Sequence, residues 1–192
     1  MSVALAVRLA AWGWFLAAVA AAHFRVLARI TPFALGALVL GLAATVVYAY
    51  LRLRPFRDWI DAVDLRALVL LHLARFTGVW LLVLHQRGEL PRGFALPAGA
   101  SDVVVAAFAL PLAFAPLADD VRHRLLRIWN VVGLVGLLLA LASYAQIAYQ
   151  TPWQLRPLAF LPLSLLPTVV MPLALATHVI LLLRLPSAPR AA

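Results

Sequence analysis

Long apolar stretches recur along the whole of this chain and constrain its fold more than any other feature. Each is about 20 residues long, the length of helix that crosses the hydrocarbon core of a bilayer. We predict six membrane-spanning helices, at residues 5–23, 32–51, 59–84, 96–117, 126–148 and 158–184. Hydrophobic residues make up 66% of the 192 residues, whereas soluble domains contain roughly 45–50%. The sequence therefore predicts an all-α fold, an integral membrane bundle of six transmembrane helices that forms a single domain over residues 1–192.

All sixteen basic residues of the chain are arginines, and they give a formal net charge of +9. In a soluble chain this balance would suggest nucleic-acid binding. Here most arginines stand between the apolar stretches, where they would face lipid headgroups. We therefore expect the lipid bilayer as a partner and no nucleic acid. The chain has no cysteine, which excludes disulfides and thiolate metal sites.

The arginines outside the third stretch sort unequally between the two sides of the predicted bundle. One side holds Arg8, Arg52, Arg54, Arg57, Arg122, Arg124, Arg127, Arg184 and Arg190. The other holds Arg25, Arg29, Arg87, Arg92 and Arg156. By the positive-inside rule this difference predicts that both termini are cytoplasmic. The first stretch ends in AVAAA at residues 18–22, so a cleaved signal peptide is an alternative interpretation of it.

The third stretch carries polar residues on one side only. At about 100° per residue, five polar side chains fall within an arc of roughly 80°. They are Asp61, Asp64, His72, Arg75 and Gln86. Lipid cannot satisfy such a face, so we expect it to be turned toward protein or water.

Arg75 is the most costly member of this stripe, because its guanidinium stays charged at any accessible pH. Asp102 is the acidic residue that lies well inside another stretch, the next one along the chain. Counting about 1.5 Å per residue, Arg75 and Asp102 lie about 5 Å and 7 Å from the midplane on the same side. We predict an ion pair between them. The pair would either lock a helix hairpin or line a cavity for an anionic or protonatable ligand.

The last stretch and the residue just before it carry prolines spaced five residues apart. They are Pro157, Pro162, Pro167 and Pro172. Pro167 and Pro172 would free the carbonyls of Leu163 and Thr168 near the middle of the membrane. Broken helices of this kind often line binding sites, which makes Thr168 a candidate site residue. Kinks that only shape the bundle are the alternative.

His178, in the same stretch, lies close in predicted depth to Asn130 of the fifth stretch. We predict a hydrogen bond between their side chains. Asn130 shares a helical face with Gly133, Ala140 and Tyr144, a pattern of small residues typical of close helix packing.

Haem is a candidate cofactor because neutral histidines can bind its iron. His178 is placed roughly 10 Å from His72 along the membrane normal, so these two make a poor pair of axial ligands. His23 and His85, both near the outer surface, fit better, but the sequence has no CxxCH motif. We expect no cofactor, with haem kept as an alternative.

Several segments together resemble a family of small uncharacterised bacterial polytopic membrane proteins. They are RFTGVWLLVLHQRGELPRGFALPAGASDVV, the IWN at residues 128–130 and LPLSLLPTVVMPLALATH. The resemblance covers about the last two-thirds of the chain. It implies that these segments form one unit in a bacterial inner membrane, and it carries no established activity.

The patterns favour a multi-pass membrane protein that binds or transports a small solute or a proton at an intramembrane polar site. The candidate residues are His72, Arg75, Asp102, Asn130, Thr168 and His178. A small-molecule ligand is thus an expected partner. HExxH, GxSxG and P-loop motifs are absent, so we expect no catalytic or metal-binding residues and favour a protein that is not an enzyme. The alternatives are a non-catalytic structural or assembly subunit of a membrane complex and a haem-binding membrane redox protein.

Overall fold

The computed structural model describes residues 2–185, and every regular element in that range is helical. Its α-helices are α1 (Val3–His23), α2 (Pro32–Arg52), α3 (Arg54–Asp61), α4 (Leu65–Leu70), α5 (Gly78–Gln86), α6 (Arg92–Phe114), α7 (Asp119–Gln150) and α8 (Met171–Arg184). Short 3-10 segments occupy Leu27–Arg29, Leu71–Thr77 and Pro152–Ala159, and a π-helical turn occupies Leu166–Val170. Arg190, one of the arginines sorted above, lies outside the described residues.

Six helical stretches in this range are long and apolar enough to cross a membrane, the number predicted from the sequence. They are Val3–His23, Pro32–Arg52, Leu65–Gln86, Arg92–Phe114, Asp119–Gln150 and Leu166–Arg184. The third combines α4, the 3-10 segment and α5, and the last combines the π turn and α8.

Three of the helices begin at side chains that accept a hydrogen bond from a free backbone N–H of the first turn. Ser2 accepts from Leu5 N at the start of α1. Thr31 does so at the start of α2, where Pro32 follows at the first helical position, a place that suits its missing N–H. Asp64 caps α4 by accepting from Arg66 N at 2.9 Å.

Two predicted stretches are wrong at their start because they run across a break in the helix, and α6 and α7 begin four and seven residues earlier than predicted. The third stretch was predicted to begin at residue 59, but α3 ends at Asp61 and a separate helix starts at Leu65. The last stretch was predicted to begin at residue 158, but continuous helix starts at Leu166. The first break lies between Asp61 and Leu65, and the second lies in apolar sequence that contains prolines. The closely spaced prolines before Leu166 lack the N–H groups that a regular helix needs.

The predicted polar stripe is divided by these breaks, and only His72 and Arg75 of its five members share a buried site. Asp61 instead accepts a hydrogen bond from the Tyr50 hydroxyl at 2.9 Å and lies 3.6 Å from Arg184 Nε. Asp64 is used as the cap of α4, and Gln86 is exposed. The bend before Leu65 and the tighter 3-10 turn change the helical phase, so the constant 100° step does not hold across the stretch.

Helix α6 occupies the middle of the bundle. It packs against α4, the 3-10 segment Leu71–Thr77, α5 and α7, while α2 and α8 pack together and against α7. In contrast, α1 is peripheral. Only 6% of the residues in its most apolar segment are buried, against 61% for the corresponding segment of Leu166–Arg184. The interior therefore forms mainly between the helices that follow α1.

Candidate functional site: a buried polar centre

Five polar side chains meet inside the bundle, and we call them the polar centre: His72, Arg75, Asp102, Asn130 and His178. Their relative exposure ranges from 0% to 7%. They come from four elements, namely the 3-10 segment Leu71–Thr77, α6, α7 and α8. All five were candidate site residues from the sequence, and the structure brings them together.

The 3-10 segment Leu71–Thr77 places two of these side chains on one side of the chain. A 3-10 helix has three residues per turn, so residues three apart lie directly above one another. His72 and Arg75 have this spacing, and both are buried while Leu71, Ala74 and Phe76 are exposed.

The predicted ion pair between Arg75 and Asp102 is confirmed. Arg75 Nε donates to Asp102 Oδ1 at 2.8 Å. Two glycines allow the helices to approach closely enough for this contact. A Cβ atom on Gly78 would lie 2.6 Å from Asp102 Cβ, and one on Gly99 would lie 2.8 Å from the Gly78 carbonyl oxygen. Larger residues at these positions would push α6 away from the arginine.

Arg75 also contacts His178, and this contact fixes the protonation of the imidazole. Arg75 Nη1 lies 3.0 Å from His178 Nε2. A guanidinium only donates, so Nε2 must be the acceptor and carries no proton. The proton of His178 is therefore on Nδ1, which donates to Asn130 Oδ1 at 2.7 Å. Here His178 is a neutral ring held in one tautomer.

Asn130 completes this arrangement with a second bond to the same residue. Its Nδ2 donates to the His178 carbonyl oxygen at 3.0 Å. The predicted hydrogen bond between Asn130 and His178 is thus confirmed and is one of two. Both heteroatoms of the Asn130 amide are used, so its orientation is fixed by His178 alone.

Gly133 and Trp129 complete the surroundings and were not among the candidate site residues. A Cβ on Gly133 would overlap His178 Cε1 and lie 3.2 Å from Arg75 Nη1. The Gly133 carbonyl oxygen also lies 3.4 Å from Arg75 Nη1. Trp129 stacks edge-on against His72, with ring centroids 5.0 Å apart. Both residues lie within one helical turn of Asn130, and this spacing could have identified them as neighbours of the site.

The predicted separation of about 10 Å between His72 and His178 is wrong. Their ring centroids are 4.1 Å apart, with planes tilted by 39°. The observed boundaries explain the error. The midpoint of Leu65–Gln86 falls just after Arg75, and the midpoint of Leu166–Arg184 falls at Leu175. Each histidine is therefore about three residues, or roughly 4.5 Å, from a helix midpoint, and both lie toward the same end of the bundle.

His178 has no nitrogen free for a metal in this arrangement, since Arg75 and Asn130 occupy both. His72 and His178 are also too close to stand on opposite sides of one iron. Two metal–nitrogen bonds of about 2 Å each would already place the ligating nitrogens about 4 Å apart, and the ring centroids would then be farther apart than the 4.1 Å observed. Among the described residues no cluster of three or more His, Asp or Glu side chains is arranged to hold a metal ion.

Three nitrogen atoms of the polar centre are buried without a hydrogen-bond partner in residues 2–185. They are Nδ1 and Nε2 of His72 and Nη2 of Arg75. More than nine-tenths of buried polar groups in proteins are hydrogen-bonded, because leaving one unpaired costs about 1–3 kcal/mol. These three atoms are the part of the polar centre whose hydrogen-bonding capacity is not used by the described residues.

Thr168 lies in the π turn, and its backbone carbonyl is one of those predicted to be freed by proline. Trp14 Nε1 of α1 donates to this oxygen at 2.8 Å. Thr168 Oγ1 donates to the Ser164 carbonyl at 2.6 Å. The Leu163 carbonyl accepts from Leu166 N. Thr168 is buried, but within the described chain it makes no hydrogen bond to the polar centre.

A small cavity of about 20 Å³ adjoins the polar centre. Asp102 is the one charged residue in its lining, which otherwise consists mostly of apolar side chains such as Phe94, Ala98 and Leu137. This volume is enough for about one water molecule.

The sequence profile of one protein family, described as Domain of unknown function (DUF8737), matches residues 32–186. The chain belongs to this family. Neither the curated proteins nor the solved structures contain a match. All five residues of the polar centre lie in the DUF8737 region, whereas α1 precedes it.

Proposed function

We propose that this protein is a multi-pass membrane protein that binds a small polar solute or a proton at its polar centre and transports it. The six long apolar helices support a location in a membrane. The resemblance stated above supports the bacterial inner membrane. The excess of arginines on the side of the termini supports cytoplasmic placement of both.

The observation that carries the proposal is the set of unpaired nitrogens on His72 and Arg75. A centre that served only to join helices would gain stability by pairing or removing these atoms. His72 is completely buried and bonds to nothing polar in the described residues. Its two nitrogens therefore have unused hydrogen-bonding capacity that a ligand entering the polar centre would satisfy.

The charges of the polar centre favour an uncharged ligand over an ion that stays bound there. Arg75 and Asp102 neutralise each other, and His178 is a neutral tautomer. An additional anion or cation would be buried without a counter-ion, at a large cost. Arg75 Nη2 offers N–H donors, so the solute needs an acceptor oxygen. Water, urea and glycerol meet this requirement.

The test is a flux measurement on protein reconstituted into liposomes. Stopped-flow light scattering would follow water, urea and glycerol, and an entrapped pH-sensitive dye would follow protons. We expect faster flux than in protein-free liposomes for at least one of these probes. The His72→Leu variant, which has similar volume but no nitrogens, should abolish that flux. The exposed His23 provides the matched control, His23→Leu, which should leave it unchanged.

A structural role is the second candidate, since the hydrogen bonds of Arg75 join the 3-10 segment to α6, α7 and α8. In that case no probe would cross faster than in empty liposomes. His72→Leu would then change nothing except stability. This result would contradict the proposed transport function.

A further inference from the structure

Tyr144 stands between two separate spaces in the bundle. One is the cavity beside Asp102 described above. The other is an open pocket of about 270 Å³ that we call the vestibule, lined by residues that include Leu27, Pro32, Trp153 and Arg156. The vestibule lies at the end of the bundle where α1 turns into α2 and α7 ends. Tyr144 belongs to the lining of both spaces.

The Tyr144 side chain is held in this position at both its hydroxyl and its ring. The hydroxyl donates to the Pro32 carbonyl oxygen at 2.9 Å. The ring lies over Gly36, where an added Cβ would be 3.3 Å from Tyr144 Cε1. Phe94 packs edge-on against it, with centroids 5.9 Å apart. Tyr144 therefore borders both spaces and is held there by one hydrogen bond and by the packing of its ring.

Asp102 is the point at which the polar centre meets the cavity. Its side chain retains 10% exposure, against 1% for Arg75, and it is part of the cavity lining. Nothing larger than about one water molecule fits there as the structure stands.

We propose that the polar centre is reached from the vestibule through an opening closed by Tyr144, and that the molecule admitted is water or a solute of similar size, with any proton it carries. This inference rests on the proposed function, because it gives the polar centre its route of access. It also assigns Tyr144 the role of a gate.

The test exploits the absence of cysteine from the chain. Ala98 and Ala140 line the cavity from α6 and α7, so Ala98→Cys or Ala140→Cys places one thiol there. The thiol is exposed to Ag⁺, which is small, or to 2-aminoethyl methanethiosulfonate, which is larger. Residual free thiol is then counted with a maleimide after denaturation.

In otherwise unchanged protein, we expect Ag⁺ to block the cavity cysteine while the methanethiosulfonate reacts slowly. With Tyr144→Ala, the methanethiosulfonate rate should rise on the order of tenfold, because the route no longer has to open by a local fluctuation. Tyr144→Phe keeps the ring but loses the bond to Pro32, and should give an intermediate rate.

Two controls guard against general loosening of the bundle. Tyr149→Ala removes an exposed tyrosine from the same helix and should leave the rate low. Leu181→Cys places a thiol in a buried position of α8 outside both spaces, and it should stay unreactive in every background.

The proposal is overturned if Ag⁺ fails to reach the cavity, if the rates with Tyr144→Ala and Tyr149→Ala are equal, or if Leu181→Cys reacts in parallel. The route and the proposed function fail in different ways. If the flux depends on His72 but the labelling rate does not change with Tyr144→Ala, only the proposed route is contradicted. If the labelling rate depends on Tyr144 but no probe crosses the membrane, only the proposed transport function is contradicted.

Discussion

Arg75 binds Asp102 through its Nε alone, at 2.8 Å from Oδ1. A paired approach of carboxylate and guanidinium would use two N–H groups. The single contact keeps both Nη groups of Arg75 free of the acid. Nη1 turns to His178 and Gly133, and Nη2 has no partner in the described chain. The ion pair thus holds an arginine whose Nη1 bonds to two other helices and whose Nη2 remains unpaired.

Asp102→Asn should destabilise the protein strongly, because it leaves the Arg75 charge buried without a counter-ion. Removing one member of a buried pair costs about 3–5 kcal/mol. The measurement is denaturant unfolding of the purified protein in micelles, with Asp120→Asn, an exposed acid at the start of α7, as the control. Combining Arg75→Met with Asp102→Leu should recover much of the loss. Unchanged unfolding of Asp102→Asn would contradict the pair.

The tautomer of His178 gives a spectroscopic prediction. Nitrogen-15 NMR should show Nδ1 protonated and Nε2 unprotonated, because Arg75 can only donate to Nε2. Asn130→Leu should keep this tautomer, because Arg75 still donates to Nε2, and should lower stability by about 2–4 kcal/mol, since two buried groups of His178 lose their partner. Gln146→Leu, at an exposed site on the same helix, is the control. A proton found on Nε2 would disprove the assigned network.

Gly133→Ala should destabilise the protein, because the added methyl group overlaps the His178 ring. Overpacking of a filled interior costs about 1–3 kcal/mol. Gly41 in α2 has open space within 4 Å of the position that a Cβ atom would take, so Gly41→Ala should stabilise the helix by about 0.5–1 kcal/mol. We therefore expect Gly133→Ala to lower the free energy of unfolding and Gly41→Ala to raise it. If both variants raise it, the residues around Gly133 can move to make room for the methyl group.

Trp14→Phe should weaken the attachment of α1. It removes the indole N–H that satisfies the Thr168 carbonyl, and an unpaired carbonyl costs about 1–3 kcal/mol. Trp12 of the same helix is 64% exposed, so Trp12→Phe should have little effect. Protease cleavage between α1 and α2 would measure the release of α1. Equal cleavage of the two variants would mean that the bond to Thr168 does not hold the helix.

The number of apolar helices and two contacts of the polar centre could be predicted from the sequence. Arg75 and Asp102 are charges in apolar surroundings, and each has few candidates for a partner. Asn130 and His178 could be paired because they lie at similar predicted depths in the membrane. Isolated polar residues in long apolar stretches thus constrain tertiary structure, because leaving them unpaired is costly.

The contact between His72 and His178 could not be predicted, because it depends on where helices bend. No residue type in Leu71–Thr77 requires a 3-10 turn, and local preference is a weak guide because tertiary contacts can override it. Around Leu166 the prolines indicated a break without fixing which residue resumes the helix. Tyr144 was assigned only to a packing face, since its place between two spaces depends on Gly36 and Pro32 of α2.

The equal and opposite charges of Arg75 and Asp102 determine how the polar centre responds to membrane voltage in the proposed location. An electric field does no net work on a pair whose charges sum to zero and that lies near the middle of its helices. Moving one free charge across the membrane changes its energy by about 2.3 kcal/mol for each 100 mV. Voltage dependence of the flux would therefore report the charge of the transported species alone: none for urea or water, and a full elementary charge for a proton.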